Sequence, residues 1–137
     1  MKEKEECFLK VKNDYLKLLR KEKIFDKSTA AKIASLKKNY IPMSFWIENK
    51  YKKRRKTLFL GFSGGQGSGK TTVASILKII LKKFFKRRIY VVSIDDFYKT
   101  LKDRNKMSNK INPLFATRGV PGTHDLYFIK NFFDSAR

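Results

Sequence analysis

The stretch from Thr57 to Ile94 constrains this chain more than any other part of it. Leu58, Phe59, Leu60 and Phe62 form a short apolar run that ends in Ser63–Gly64–Gly65. From Gly69 onward Val73, Ile76, Leu77, Ile80, Leu81 and Phe84 recur at helical spacing. Ile89–Tyr90–Val91–Val92–Ser93–Ile94 is then continuous and β-branched, as strands buried on both faces are. Strand, helix and strand in that order predict a βαβ unit with a right-handed crossover. The expected fold class is α/β, a parallel sheet with flanking helices. Two strands alone cannot make a covered sheet, so the sheet is expected to be incomplete.

The turn between the first run and the helix is Gly64–Gly65–Gln66–Gly67–Ser68–Gly69–Lys70–Thr71, which matches G-x-x-x-x-G-K-[ST]. Glycines there permit backbone conformations that aim successive N–H groups at phosphate oxygens. The helix behind them, entered through Thr71 and Thr72, adds its positive end. Lys70 supplies a point charge for β- and γ-phosphates, and the Thr71 hydroxyl can ligate Mg²⁺. ATP and Mg²⁺ are the cofactors this loop calls for.

Two further clusters carry chemistry. Ser93–Ile94–Asp95–Asp96–Phe97–Tyr98 sits at the carboxyl end of the second expected strand, where open α/β sheets bind ligands. A carboxylate there can accept a proton from an attacking hydroxyl or hold magnesium, and it can equally be a turn residue capping the next helix. Arg118–Gly119–Val120–Pro121–Gly122–Thr123–His124–Asp125 reads as a rigid turn into a helix capped by Thr123, with Leu126, Ile129, Phe132 and Phe133 on its apolar face. Arg118 offers a fork for a carboxylate or phosphate. His124 reads either as a ligand contact or as a surface or capping residue.

These motifs, with Tyr40–Ile41–Pro42, Trp46 and Asn112–Pro113–Leu114, resemble the bacterial and plant-type D-glycerate 3-kinases. Those lie within the wider group of P-loop metabolite kinases that includes uridine and pantothenate kinases and phosphoribulokinase. The resemblance implies a P-loop NTPase-type sheet and ATP-dependent transfer to a hydroxyl of D-glycerate, a small anionic hydroxy acid. It places Asp95 at the catalytic-base position, shared with metal binding, and Lys70 on the transferred phosphate. Asp96, Tyr98, Arg118, His124 and Asp125 would then line the acceptor side. Asn112 stands where His is expected before Pro. The change of pattern at Thr57 sets off 1–56 as an N-terminal helical segment, and the resemblance, which runs from Tyr40 to Arg137, implies that 57–137 is the first part of a truncated kinase domain. Alternatives are a uridine- or pantothenate-type kinase, a basic nucleic-acid-binding ATPase, or an inactive fragment.

The helical segment is expected as an amphipathic helix over 6–24, a second from Ser28 or Thr29 to near Asn39, and a short third opened by Pro42. Residues 99–122, polar and rich in Asn, Pro and Gly, read as a long loop with room for one helical turn. The formal charge is +21, and its 25 Lys against 8 Arg point to a lysine-rich composition more than to a nucleic-acid surface. The run Lys50 to Lys56 reads as a solvated connector. Cys7 is the lone cysteine, so no intrachain disulfide forms. No apolar stretch approaches the ~20 residues of a membrane span and the N-terminus lacks an apolar signal core, so a cytoplasmic protein is expected.

Overall fold

The computed structural model describes residues 2–24, 28–54 and 56–137. They divide into two compact units, Met1–Val91 and Val92–Arg137.

In the first unit α1 (Lys2–Lys21) carries Glu3 and Glu5 in its first turn and Arg20 and Lys21 in its last, which complements the helix dipole. Its buried face is Cys7, Phe8, Val11, Tyr15 and Leu19. The helix starts before and stops short of the expected 6–24, ending where Lys23 turns to a positive φ of 53°. Ser28 caps α2 (Thr29–Ser35) by accepting from the Ala31 N–H. A π-helical turn, Leu36–Tyr40, then leads without a break into α3 (Ile41–Arg54). Pro42 was expected to open a separate helix. Having no N–H to return to the preceding turn, it follows the wider π turn instead, which absorbs the missing bond. The basic run is not a connector: Lys50 to Arg54 form the last turns of α3, where cations suit the dipole, and Arg55 lies outside the described residues.

The fourth helix, α4 (Lys70–Lys83), follows the glycine-rich turn as expected. Its Ile76 and Ile80 join the α1 residues, Leu36 and Ile41 in the main core. Cys7 is fully enclosed there, and burial pushes its thiol up to about 11. Tyr15 donates from its hydroxyl to the Lys32 carbonyl at 3.0 Å, and burial raises its pKa to about 12. Leu77 and Leu81 form a second cluster with Ile47 of α3, against which Leu58, Val73, Phe85 and Ile89 pack.

That second cluster explains the main correction. Among the described residues there is no strand and no sheet, so the expected parallel pair is absent and the unit is helical. The α4 face that a sheet would cover is occupied by α3, with single residues of the two apolar runs laid beside it. Two isolated parallel strands would bury neither face and leave both edges open. Much of both runs is exposed accordingly: Leu60, Phe62, Val91 and Val92 are each about two-fifths accessible, and Tyr90 is 84% accessible.

In the second unit a 3₁₀ turn, Ile94–Phe97, precedes α5 (Leu101–Lys110), a second 3₁₀ turn at Pro113–Ala116, and α6 (Leu126–Ser135). Phe97 is buried, with its ring 5.5 Å from Phe128 and 5.3 Å from Phe132. The expected loop over 99–122 therefore holds a ten-residue helix, capped by Thr100 through the Asp103 N–H. Asp125, not Thr123, caps α6 by accepting from the Phe128 N–H at 2.9 Å. The Thr123 hydroxyl is taken up inside the preceding turn, donating to the Val120 carbonyl at 2.6 Å.

Candidate functional site

The glycine-rich turn depends on two left-handed residues, Gly67 at φ 75° and Gly69 at φ 80°, a region that residues with a Cβ rarely adopt. Gly64 is constrained by space: a Cβ there would meet the Ser68 Oγ at 2.8 Å. The turn closes on a bond from the Ser68 N–H to the Gly65 carbonyl at 3.3 Å. Gly69 starts α4 with no side-chain cap, and the first turn of the helix has no acidic residue. The opening N–H groups of a helix have no intrahelical acceptor, so this end is suited to an anion.

Lys70 folds back over the turn. Its ammonium donates to the carbonyls of Gly64 at 2.7 Å and Gly65 at 2.8 Å. The charge is thus held against the loop backbone instead of ranging through solvent. Gln66 and Thr71 are exposed, and Thr72 is half-buried in the first turn of α4.

In the second unit Ser93 and Asp96 make a reciprocal cap. The Ser93 Oγ accepts from the Asp95 N–H at 3.2 Å, and the Asp96 carboxylate accepts from the Ser93 N–H at 2.8 Å. Both side chains are exposed, but the Asp96 carboxylate is thereby committed to the backbone, whereas that of Asp95 has no hydrogen-bond partner among the described residues. The adjacent residues join the two motifs of this unit. Tyr98 and His124 form an isolated antiparallel bridge, flanked by bonds from the Lys99 N–H to the Thr123 carbonyl and from the Asp125 N–H to the Phe97 carbonyl. Their rings stack at 4.0 Å and 25°. The Arg118 guanidinium lies 5.6 Å from the centre of the Tyr98 ring. The His124 Nε2 is buried with no hydrogen-bond partner among the described residues.

The turn is shaped by Gly119 at φ 91° and Gly122 at φ 92°, with Gly122 packed so that a Cβ would meet the Phe115 ring at 3.3 Å. Arg104, a residue the motifs do not flag, braces it. This buried α5 side chain donates from Nε to the Lys99 carbonyl at 3.3 Å and from Nη1 to the Ala116 carbonyl. An arginine in a polar stretch gives no signal of such a role. Asn112 caps the second 3₁₀ turn through the Leu114 N–H at 2.9 Å. Tyr98, Arg118 and His124 are therefore brought together, while Asp96 and Asp125 act as backbone caps.

Among the described residues no three His, Cys, Asp or Glu side chains gather as a metal site. No helix among them is long and apolar enough to cross a membrane.

No family model matches the chain, and no solved structure matches it. Three curated proteins do. The uncharacterized kinase mug58 of Schizosaccharomyces pombe is 37% identical over 92 residues, covering 66% of this chain and 33% of its own length. The probable ATP-dependent kinase TDA10 of Saccharomyces cerevisiae is 39% identical over 100 residues, or 70% of this chain and 33% of its own. The chloroplastic D-glycerate 3-kinase of Arabidopsis thaliana is 35% identical over 111 residues, or 73% of this chain and 24% of its own. The chain thus spans about a third of the two fungal proteins and about a quarter of the plant one. By sequence, then, the chain is similar to a group of kinases that includes a D-glycerate 3-kinase.

Proposed function

We propose that this protein serves an ATP-dependent phosphotransferase reaction whose acceptor is a hydroxyl of D-glycerate. The observation that carries the reading is the Gly64–Thr71 turn at the uncapped start of α4, with the Lys70 ammonium held against its backbone. Such an end offers N–H groups and a fixed positive charge to a triphosphate. Three relatives named as kinases support the same class, and one of them is named for glycerate.

The residues fit Mg²⁺ only as magnesium is usually bound with nucleotides, through one or two protein oxygens and the phosphates themselves. At this turn the Thr71 hydroxyl is the oxygen that would hold it, and bound magnesium would neutralise charge on the β- and γ-phosphates. Lys70 leaves its two carbonyl acceptors for the γ-phosphate and holds it as charge develops. Asp95 accepts the proton of the acceptor hydroxyl. Arg118 grips the acceptor carboxylate bidentately, and His124, stacked on the Tyr98 ring beside it, lines the same side. A nucleobase has no use for that pair.

The test is transfer of labelled γ-phosphate from ATP to D-glycerate or uridine by the purified protein and its Arg118→Lys variant. D-Glycerate should be labelled and uridine ignored. Arg118→Lys should raise the KM for glycerate while leaving that for ATP unchanged, since lysine cannot reproduce the fork. Equal labelling of uridine, or unchanged glycerate kinetics in the variant, overturns the acceptor assignment.

A further inference from the structure

Along the seam of α1 and α4, in the C-terminal half of α4 and away from Lys70, a groove of about 540 Å³ opens to solvent. Its floor includes Leu18 and Ile79, both half-buried against the main core. Its walls carry Lys17 and Lys21 from α1, and Lys78 and Lys82 from α4. All four are exposed, and among the described residues none is in an ion pair. The single acid at the groove, Asp14, is already paired with Lys83.

Composition does not account for this. Six of the nine lining residues are lysine, against 25 in 137 for the chain. Within each wall the lysines stand four apart, a spacing at which like charges repel along a helix. The arrangement therefore opposes helix stability unless an anion covers it.

The lining selects among anions. Nucleic-acid surfaces draw on arginine forks and stacking aromatics, and neither lines the groove. A bare polyphosphate would use the ammonium groups and leave the apolar floor wet. A helix with an apolar stripe and carboxylates on both flanks uses both features. Its acids four apart rise by about 6 Å, as do the lysine pairs on each wall. We infer that the α1–α4 groove docks an acidic amphipathic helix of a partner protein. The apolar stripe covers Leu18 and Ile79, and the flanking carboxylates meet Lys17, Lys21, Lys78 and Lys82.

The experiment is fluorescence anisotropy of a labelled synthetic helix of about 20 residues, long enough to hold its fold in water. It carries a leucine stripe flanked by glutamates and is titrated with the full chain at physiological salt. A scrambled peptide of identical composition is the control. Lys17→Glu with Lys82→Glu, and separately Ile79→Ser, should each weaken binding by about tenfold or more, with unchanged circular dichroism. The scrambled peptide should bind about tenfold more weakly than the ordered one. Equal binding of the scrambled peptide reduces the groove to unspecific charge and overturns the inference. So does tighter binding of a single-stranded RNA of similar length to the same lysines, or indifference to Ile79→Ser.

Discussion

Glu48 and Arg87 give a case in which two halves of one interaction should differ in cost. Glu48 lies in α3 with only 3% of its side chain accessible, and Arg87 follows α4 with 34% accessible. The guanidinium donates from Nε at 2.9 Å and from Nη2 at 2.5 Å to the two carboxylate oxygens, and sits 4.6 Å from the Tyr51 ring centre. Lys52 adds a longer contact at 3.7 Å. Arg87→Ala leaves a buried carboxylate with that one distant, exposed partner. Breaking a buried pair in this way costs about 3–5 kcal/mol, and Lys52 holds the figure near the lower end, about 3 kcal/mol. Glu48→Gln keeps the shape and one acceptor, and the part-exposed Arg87 can rehydrate, so about 1–2 kcal/mol is expected. The double variant should cost less than the sum.

The pH dependence has a definite sign. The Arg87 hydrogen bonds hold the Glu48 carboxyl below its ordinary value. A carboxyl depressed on folding contributes stability that is full above its unfolded pKa of about 4.3 and is lost as pH falls through the lower folded value. In Arg87→Ala the buried carboxylate prefers protonation, so acidification should narrow the gap between variant and wild type. Trp46, the chain's single tryptophan, lies in α3 and reports on this unit in urea titrations at pH 7 and pH 3. Equal costs for the two single variants at pH 7, or a gap that widens in acid, would refute the reasoning.

The adjacent aspartates should separate in the same spirit. Asp95→Asn should lower phosphoryl-transfer turnover by about 10²–10⁴-fold with the Kd for MgATP unchanged, measured by steady-state kinetics and calorimetry. Asp96→Asn should weaken the reciprocal cap by about 0.5–1 kcal/mol, read as faster amide exchange at the Ile94–Phe97 turn, and spare turnover. A silent Asp95→Asn with a damaging Asp96→Asn would reverse the two roles.

How far the residues disclose the structure depends on what holds each element. The apolar faces of α1 and α4 are written directly in Phe8, Val11 and Tyr15 and in Val73, Ile76 and Ile80, because burial of one stripe is what stabilises them. The glycine-rich turn is legible because its geometry requires glycine at 67 and 69. By contrast α5 has almost no apolar face and is held by the Thr100 cap and the buried Arg104, neither of which leaves a periodic pattern. The β-branched run at 89–94 misleads because strand preference expresses what neighbouring strands supply, and among the described residues none stands beside it. Thr123 and Asp125 are both good capping residues two positions apart. Only the Val120 carbonyl, which engages the Thr123 hydroxyl, decides that Asp125 caps α6. The same holds at the site: the gathering of Tyr98, Arg118 and His124 follows from the bridge across the turn, which no local pattern announces.

The central claim, that the turn before α4 receives a triphosphate, is tested most directly by calorimetric titration of MgATP into the protein and into Lys70→Ala. Circular dichroism should confirm that both are folded. A charge-assisted hydrogen bond is worth about 1.5–3 kcal/mol, so the variant should bind MgATP about ten- to a hundredfold more weakly. AMP, which has no phosphate beyond the first for Lys70 to hold, should bind the two proteins equally. Saturable MgATP binding that weakens in this way supports the account. No MgATP binding by the folded protein, or equal affinity in the two, would contradict it.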